Sequence, residues 1–242
     1  MITVNKIDVL AIGAHPDDIE AGAGGLVAKF VQQGLSVGLL DLTAGEMSTN
    51  GTPEERQKEA QGAAQVLGVT WRKCLGLPDR EITLIKKNVK ALVEVIRQSR
   101  PRLILCPYWE DRHPDHVNAA RLTIEAHFDA GLKKVCDHLL PHRASHLWHY
   151  FLSRATEPQF VVDVSHCYEI KRAAIMAHKT QFGQGRDIQK TFLNAGPGSF
   201  LSIIESRDCY YGSLMGCQYG EGFITAIPLA IQDPTSLLGV KG

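Results

Sequence analysis

Between Ile7 and Phe128, four short apolar runs alternate with four stripes of helical spacing, and this alternation restricts the fold more than any other feature of the chain. The runs are Ile7–Ile12, Val37–Leu42, a short one near Cys74–Leu77, and Arg102–Pro107. The stripes are Ala23/Leu26/Val27/Phe30/Val31, Ala60/Ala63/Ala64/Leu67, Ile85/Val89/Leu92/Val93/Ile96 and Val117/Ala120/Ile124/Phe128. Unbroken apolar runs suit strands buried on both faces, and helical crossovers between them leave the strands parallel. The expectation is an α/β chain: a three-layer, Rossmann-like arrangement of a mostly parallel sheet with helices on both faces.

The second half is less regular. His146–Ser153 and Phe160–Val164 read as strands, Ile170/Ala173/Ala174/Ala177 as a helix stripe, and the Gly-, Asn- and Ser-rich stretch Gln181–Ser202 as a long loop. No linker or repeat divides the chain, so a single domain spanning 1–242 is expected. With 26 basic against 26 acidic side chains the net charge is zero, which argues against a nucleic-acid partner. No apolar run approaches the ~20 residues of a spanning helix, so no membrane partner is expected. The first ten residues have no signal-peptide pattern, and the expected location is cytoplasmic. Six cysteines, four of whose gaps are thirty residues or more and which form no C-x-x-C pair, fit free thiols better than disulfides or a zinc ribbon.

In open parallel sheets, ligands bind where strand ends meet helix starts. That rule points to three loops, Gly13–Glu20, Thr43–Thr52 and Tyr108–Asp115. The first holds His15-Pro16-Asp17-Asp18, and His113-Pro114-Asp115-His116 closes the third. Either turn alone is an ordinary helix start, since carboxylates cap free N–H groups. Together they gather three imidazoles and three carboxylates at one sheet edge, enough for a zinc site with three protein ligands and an open position. Adjacent Asp17 and Asp18 repel one another unless a cation lies beside them. In the middle loop, Thr52-Pro53-Glu54-Glu55 has the pattern of a capped helix start, with Arg56 in its first turn. Arg56 has two readings: a surface side chain paired with Glu55 or Glu59, or a guanidinium aimed at an anionic ligand.

Other chemistries lose support. Gly22, Gly24 and Gly25 do not complete G-x-G-x-x-G, because position 27 is Val27, and neither a P-loop nor G-x-S-x-G occurs. The remaining histidines follow no ligand spacing.

The segment Ala14-His15-Pro16-Asp17-Asp18-Ile19-Glu20 resembles the first motif of the LmbE-like (PIG-L) deacetylases, and His113-Pro114-Asp115-His116 resembles their second. Asn50–Arg56, Pro78-Asp79-Arg80, Glu110-Asp111-Arg112 and Tyr219-Gly220-Glu221-Gly222-Phe223 are also similar to that family, so the likeness runs almost to the C-terminus. It is closest to the bacillithiol biosynthesis branch. The resemblance implies removal of the acetyl group from an N-acetylglucosaminide, foremost N-acetylglucosaminyl malate, giving acetate and glucosaminyl malate. By matching position it implies His15, Asp18 and His116 as ligands of one Zn2+ (or another divalent ion such as Fe2+) and Asp17 as general base. His113 and Asp115 would be a polarising pair, with His113 charged, and Arg56 would face the substrate. It also implies a small amino-sugar substrate and a homo-oligomer, a trimer or hexamer. Rival readings are deacetylation of another N-acetylglucosamine conjugate or disaccharide, a metal-dependent phosphoesterase, or a non-enzymatic zinc- or sugar-binding module.

Overall fold

In the computed structural model, which describes residues 3–184, 187–226 and 228–229, the chain begins β1 (Val9–Gly13), α1 (Asp18–Gln32), β2 (Val37–Asp41), α2 (Pro53–Leu67) and β3 (Trp71–Cys74). It continues α3 (Lys86–Ser99), β4 (Leu103–Pro107), α4 (Pro114–Ala130), β5 (His146–Tyr150) and β6 (Phe160–Asp163). A 3-10 turn (Ser165–Cys167), α5 (Tyr168–Ala177), the short α6 (Lys179–Phe182), α7 (Phe200–Met215) and β7 (Gly220–Ile224) follow. The strands form one sheet in the order β3-β2-β1-β4-β5-β7-β6, parallel from β3 to β5, with β7 antiparallel to both of its neighbours.

The unbroken apolar runs follow from this geometry. Val9, Ala11, Val37, Leu39, Leu103 and Leu105 pack against α1, α2, α5 and α7, while Leu10, Ile12, Leu40, Leu42, Ile104 and Cys106 face the other way, against α3 and α4. Alternate residues of β1, β2 and β4 thus serve two different cores. The six cysteines are free, and no helix among the described residues is long and apolar enough to cross a membrane.

Four details differ from the sequence expectation. β3 spans Trp71–Cys74 rather than lying near Cys74–Leu77, because its inward residue is Arg72, paired with Asp41 and Glu20. Leu75 and Leu77 run past the sheet and bond back to Asp41 and Leu42. α1 already starts at Asp18, inside the expected loop, and α7 starts at Phe200, inside the expected loop Gln181–Ser202, of which residues 185 and 186 lie outside the described part. α7 and β7 escape a hydropathy reading because Arg207, Asp208 and Glu221 are buried in a shared ion cluster.

From β1 the chain moves outward through β2 to β3, then returns to the other side of β1 as β4. The crevice at this reversal is where open α/β sheets bind ligands. The segments after β1, β2, β3 and β4 all end there, and they carry both His-Pro-Asp turns.

Candidate active site

The turn after β1 does not spend its carboxylates on capping α1. Asp17 is the N-cap residue, yet its side chain caps no helical N–H. Its backbone has φ 115°, a left-handed value strained for any residue but glycine. Asp18 Oδ2 accepts the main-chain N–H of His15 at 2.9 Å, which folds the turn back on itself. The turn before α4 is capped by an imidazole instead: His113 is the N-cap, and its Nδ1 accepts the backbone N–H of Asp115 at 3.2 Å.

These turns converge. His15 Nδ1 lies 3.5 Å from Asp18 Oδ2, and His116 Nε2 lies 3.1 Å from Asp18 Oδ1. These separations, measured to the two different oxygens of Asp18, are close to the ~3.3 Å between donors of a tetrahedral zinc site at the usual bond lengths, which makes His15, Asp18 and His116 a candidate donor set. His113 completes a group of three imidazoles whose ligand nitrogens lie within 4.8 Å of one another. The His15 and His116 imidazoles are each oriented from behind. His116 Nδ1 donates to Asp111 Oδ1 at 2.8 Å, and His15 Nε2 faces Asp79 Oδ1 at 3.2 Å and Asp115 Oδ2 at 3.4 Å. Carboxylates in this position fix ring orientation and tautomer in metal sites.

Asp79 and Asp111 stand behind His15 and His116, positions that residue spacing alone did not single out. The usable signal is that a histidine serving as a metal ligand needs an acceptor for its second nitrogen, and an aspartate stands just upstream of the second turn. Asp79 also accepts the N–H of Met47 at 3.0 Å, and Asp111 accepts from Ser153 Oγ at 2.7 Å, so both tie neighbouring loops to the site.

Arg56 is not a surface side chain. It is 4% exposed, with Nη1 on the Gly45 carbonyl (2.9 Å) and Nη2 on the Pro16 carbonyl (2.7 Å) and on Asp17 Oδ2 (3.2 Å). Gly45, at φ +68°, leaves room that a Cβ would take, since it would stand 1.8 Å from Nη1. The Thr52/Glu55 capping box forms as expected and starts the helix that carries Arg56. Asp115 reaches His113 through its main chain, while its carboxylate accepts the Arg80 N–H at 2.8 Å and faces His15. With Nδ1 an acceptor, the neutral His113 ring carries its proton on Nε2.

Electrostatics separate the roles. Burial pushes the Asp17 carboxyl up to about 6, offset only in part by Arg56. Burial also opposes the charge on Asp18, but His116 and His15 hold its pKa well below the ordinary value. Burial and the neighbouring His116 and His15 bring His113 down to about 4, which favours the neutral ring over the charged form anticipated from the sequence. For His116, burial is outweighed by Asp18 and Asp111, and its pKa rises to about 9. Metal ligation requires the neutral ring, so His116 must shed its proton as an ion enters. Zinc affinity should therefore rise with pH up to about 9, with about one to two protons released per ion at pH 7. A zinc titration in two buffers of different ionisation enthalpy counts them. Affinity independent of pH with no release would place the ion elsewhere.

One pocket collects His15, Asp17, Asp18, His113 and His116, with Met47, Ser48, Phe192 and Phe200 also in its lining. Arg112 and Arg80 stand exposed in its lining. Arg112 lies over the Phe192 ring at 4.2 Å and has no carboxylate partner among the described residues.

Residues 10–127 match the family model described as PIG-L: GlcNAc-PI de-N-acetylase. The chain is 32% identical over 240 residues to the diacetylchitobiose deacetylase of Thermococcus kodakarensis, covering 92% of this chain and 85% of that protein. It is 27% identical over 210 residues to the probable N-acetyl-alpha-D-glucosaminyl L-malate deacetylase 2 of Bacillus subtilis, covering 79% and 91% respectively. The crystal structure of a conserved protein from Thermus thermophilus superposes with a TM-score of 0.85 at 36% identity, covering 94% of this chain and 98% of that one. With its two His-Pro-Asp turns meeting at one sheet edge, the chain belongs to the PIG-L (LmbE-like) family of deacetylases, metal-dependent amide hydrolases acting on N-acetylglucosamine conjugates.

Proposed function

We propose that this chain removes the acetyl group of N-acetylglucosaminyl malate, a step of bacillithiol biosynthesis, with Zn2+ held by His15, Asp18 and His116. When bound, the ion would polarise the amide carbonyl and make water acidic enough to act as a nucleophile near neutral pH. The observation that carries the chemistry is Asp17, a buried carboxylate in a strained turn beside the three donors, which caps nothing and whose pKa burial pushes up to about 6. Asp17 takes the proton of the attacking water and returns it to the departing amine. Neutral His113 donates its Nε2–H to the developing oxyanion, and the Asp115 main chain fixes that tautomer. Arg56 keeps its place in the substrate pocket and acts on the reaction through Asp17, since its guanidinium is engaged by Pro16, Gly45 and Asp17.

The anionic aglycone is supported by Arg112 and Arg80 in the pocket lining. Arg112, without a carboxylate partner among the described residues, binds a substrate carboxylate well and gains little from a neutral second sugar, whereas Arg80 shares its guanidinium with Asp115 at 3.8 Å. A two-metal phosphoesterase is disfavoured. Its ions stand ~3.5–4 Å apart, whereas the second donor group here, Asp79 with Asp115, lies behind the opposite nitrogen of the His15 ring. The test is amine release from N-acetylglucosaminyl malate and from diacetylchitobiose, with and without chelator, by wild type and Arg112→Ala. The expected result is chelator-sensitive turnover that favours the malate conjugate, a preference that Arg112→Ala largely removes. Equal or better turnover of diacetylchitobiose would sink the malate assignment and keep the deacetylase.

A further inference from the structure

The helix that presents Asp18 is broken. At Ala23 the backbone leaves helical geometry (φ −142°, ψ 16°), dividing α1 into a first turn, Asp18–Gly22, and a longer piece ending at Gln32. A break frees carbonyls from the piece before it and N–H groups from the piece after it. Two distant elements take these up. Glu221 of β7 accepts the N–H of Gly25 on Oε1 at 2.9 Å and of Leu26 on Oε2 at 2.7 Å. Arg207 of α7 donates to the Ala21 carbonyl at 2.7 Å and, through its other Nη, to the carbonyls of Phe151 and Leu152. Lys171 of α5 bonds both Glu221 (2.7 Å) and Asp208 (2.6 Å), and Asp208 also pairs with Arg207. Two cations and two anions thus balance, none more than 6% exposed.

The break is built in, not incidental. A Cβ on Gly22 would stand 2.0 Å from the Tyr150 ring, and one on Gly25 would stand 2.7 Å from Val164. These are the glycines that fail a dinucleotide fingerprint, and close packing at the break accounts for two of them. The tract Tyr219–Phe223, which the deacetylase chemistry leaves without a task, supplies the carboxylate.

We infer that Glu221 and Arg207, neutralised by Lys171 and Asp208, are positioning residues that set the first turn of α1 and thereby hold Asp18 and the strained Asp17 against His15 and His116. A single helical turn cannot hold itself in place. Its direction is set by what grips the break, and Asp18 sits on that turn about one turn of chain from Ala21. The inference rests on Asp18 serving as a metal ligand.

The test uses Glu221→Asp, which keeps all four charges but shortens the reach to Gly25 and Leu26. A companion, the double variant Glu221→Gln with Lys171→Gln, removes one charge of each sign. The control is Leu92→Ala, in the opposite core against α3 and α4, used to calibrate loss of thermal stability. The readouts are zinc dissociation constant by chelator competition on folded protein, and kcat and KM separately. Positioning predicts zinc binding weaker by about 10–100-fold in the Glu221 variants, with kcat reduced and KM little changed, and wild-type zinc affinity in Leu92→Ala. If the double variant does not fold, Glu221→Asp decides by the same criterion. Wild-type zinc affinity and kcat in the folded Glu221 variants would overturn the inference. Asp18→Ala separates the two ideas: undiminished zinc binding there would remove the ligand assignment itself, whereas loss of zinc there with unaltered Glu221 variants would remove only the positioning role.

Discussion

Asp17→Asn is expected to bind zinc as the parent does and to lose about 10²–10⁴-fold in kcat, the usual contribution of a group that moves a proton in the transition state. Asparagine matches the shape of aspartate and can still meet the Arg56 guanidinium through its amide oxygen, so the turn before α1 should survive the change. What it cannot do is accept a proton. The three donors of the proposed ion are untouched, so chelator-competition affinity separates loss of the base from loss of the metal. The pH profile adds a second check. Burial places the Asp17 carboxyl at about 6, and a neighbouring cation can only pull it down. The base works ionised, so kcat/KM should rise with pH along an acid limb centred at or below about 6, and Asp17→Asn should lack that limb. Turnover by Asp17→Asn within threefold of wild type, or a limb above 7, would hand the proton to another group.

The parts of the molecule legible in the sequence are those where chemistry and periodicity agree. The parallel sheet follows from runs such as Leu103–Pro107, whose residues are all buried, and the site follows from two turns that each place His and Asp between a strand and a helix. What escaped were buried charges. Arg72 hides β3 from a hydropathy reading, and Arg207, Asp208 and Glu221 hide α7 and β7, because each is a charged residue at a position where pattern reading expects an apolar one. Arg56 shows the same limit from the other side: helix periodicity leaves it free or engaged, and only the approach of the Gly45 and Pro16 carbonyls decides. His178, left among the unassigned histidines, proves to be fully buried with its Nε2 2.9 Å from Glu20, the last residue of the first motif.

That glutamate belongs to the second large effect. Arg72 meets Asp41 with two bonds of 2.8 Å, and it also bonds Glu20 and the Ala60 carbonyl. Removing the guanidinium leaves two carboxylates in the interior, with His178 as the remaining partner of Glu20. Breaking a buried ion pair from one side costs about 3–5 kcal/mol, so Arg72→Met should lower Tm by roughly 6–20 °C. The pH dependence gives the sign. Burial opposes the Glu20 charge, yet Arg72 and His178 hold its pKa at about 2, against 4.5 for an ordinary glutamate. A depressed carboxylate stabilises the fold above its unfolded pKa, and that contribution is lost as pH falls from about 4.5 to 2. Asp41 is raised even with Arg72 present, because burial outweighs the pairing. Without Arg72 both carboxylates are dominated by burial, and they gain stability on protonation as pH falls from neutrality. His15, His116 and Asp17 titrate in both proteins and cancel in the difference. The stability deficit of Arg72→Met relative to wild type, measured by urea melts in the same metal state, should therefore be greatest near pH 7 and shrink toward pH 5. A deficit that is constant over this interval would mean that Arg72 acts by packing its side chain and that its charge does not hold the carboxylates.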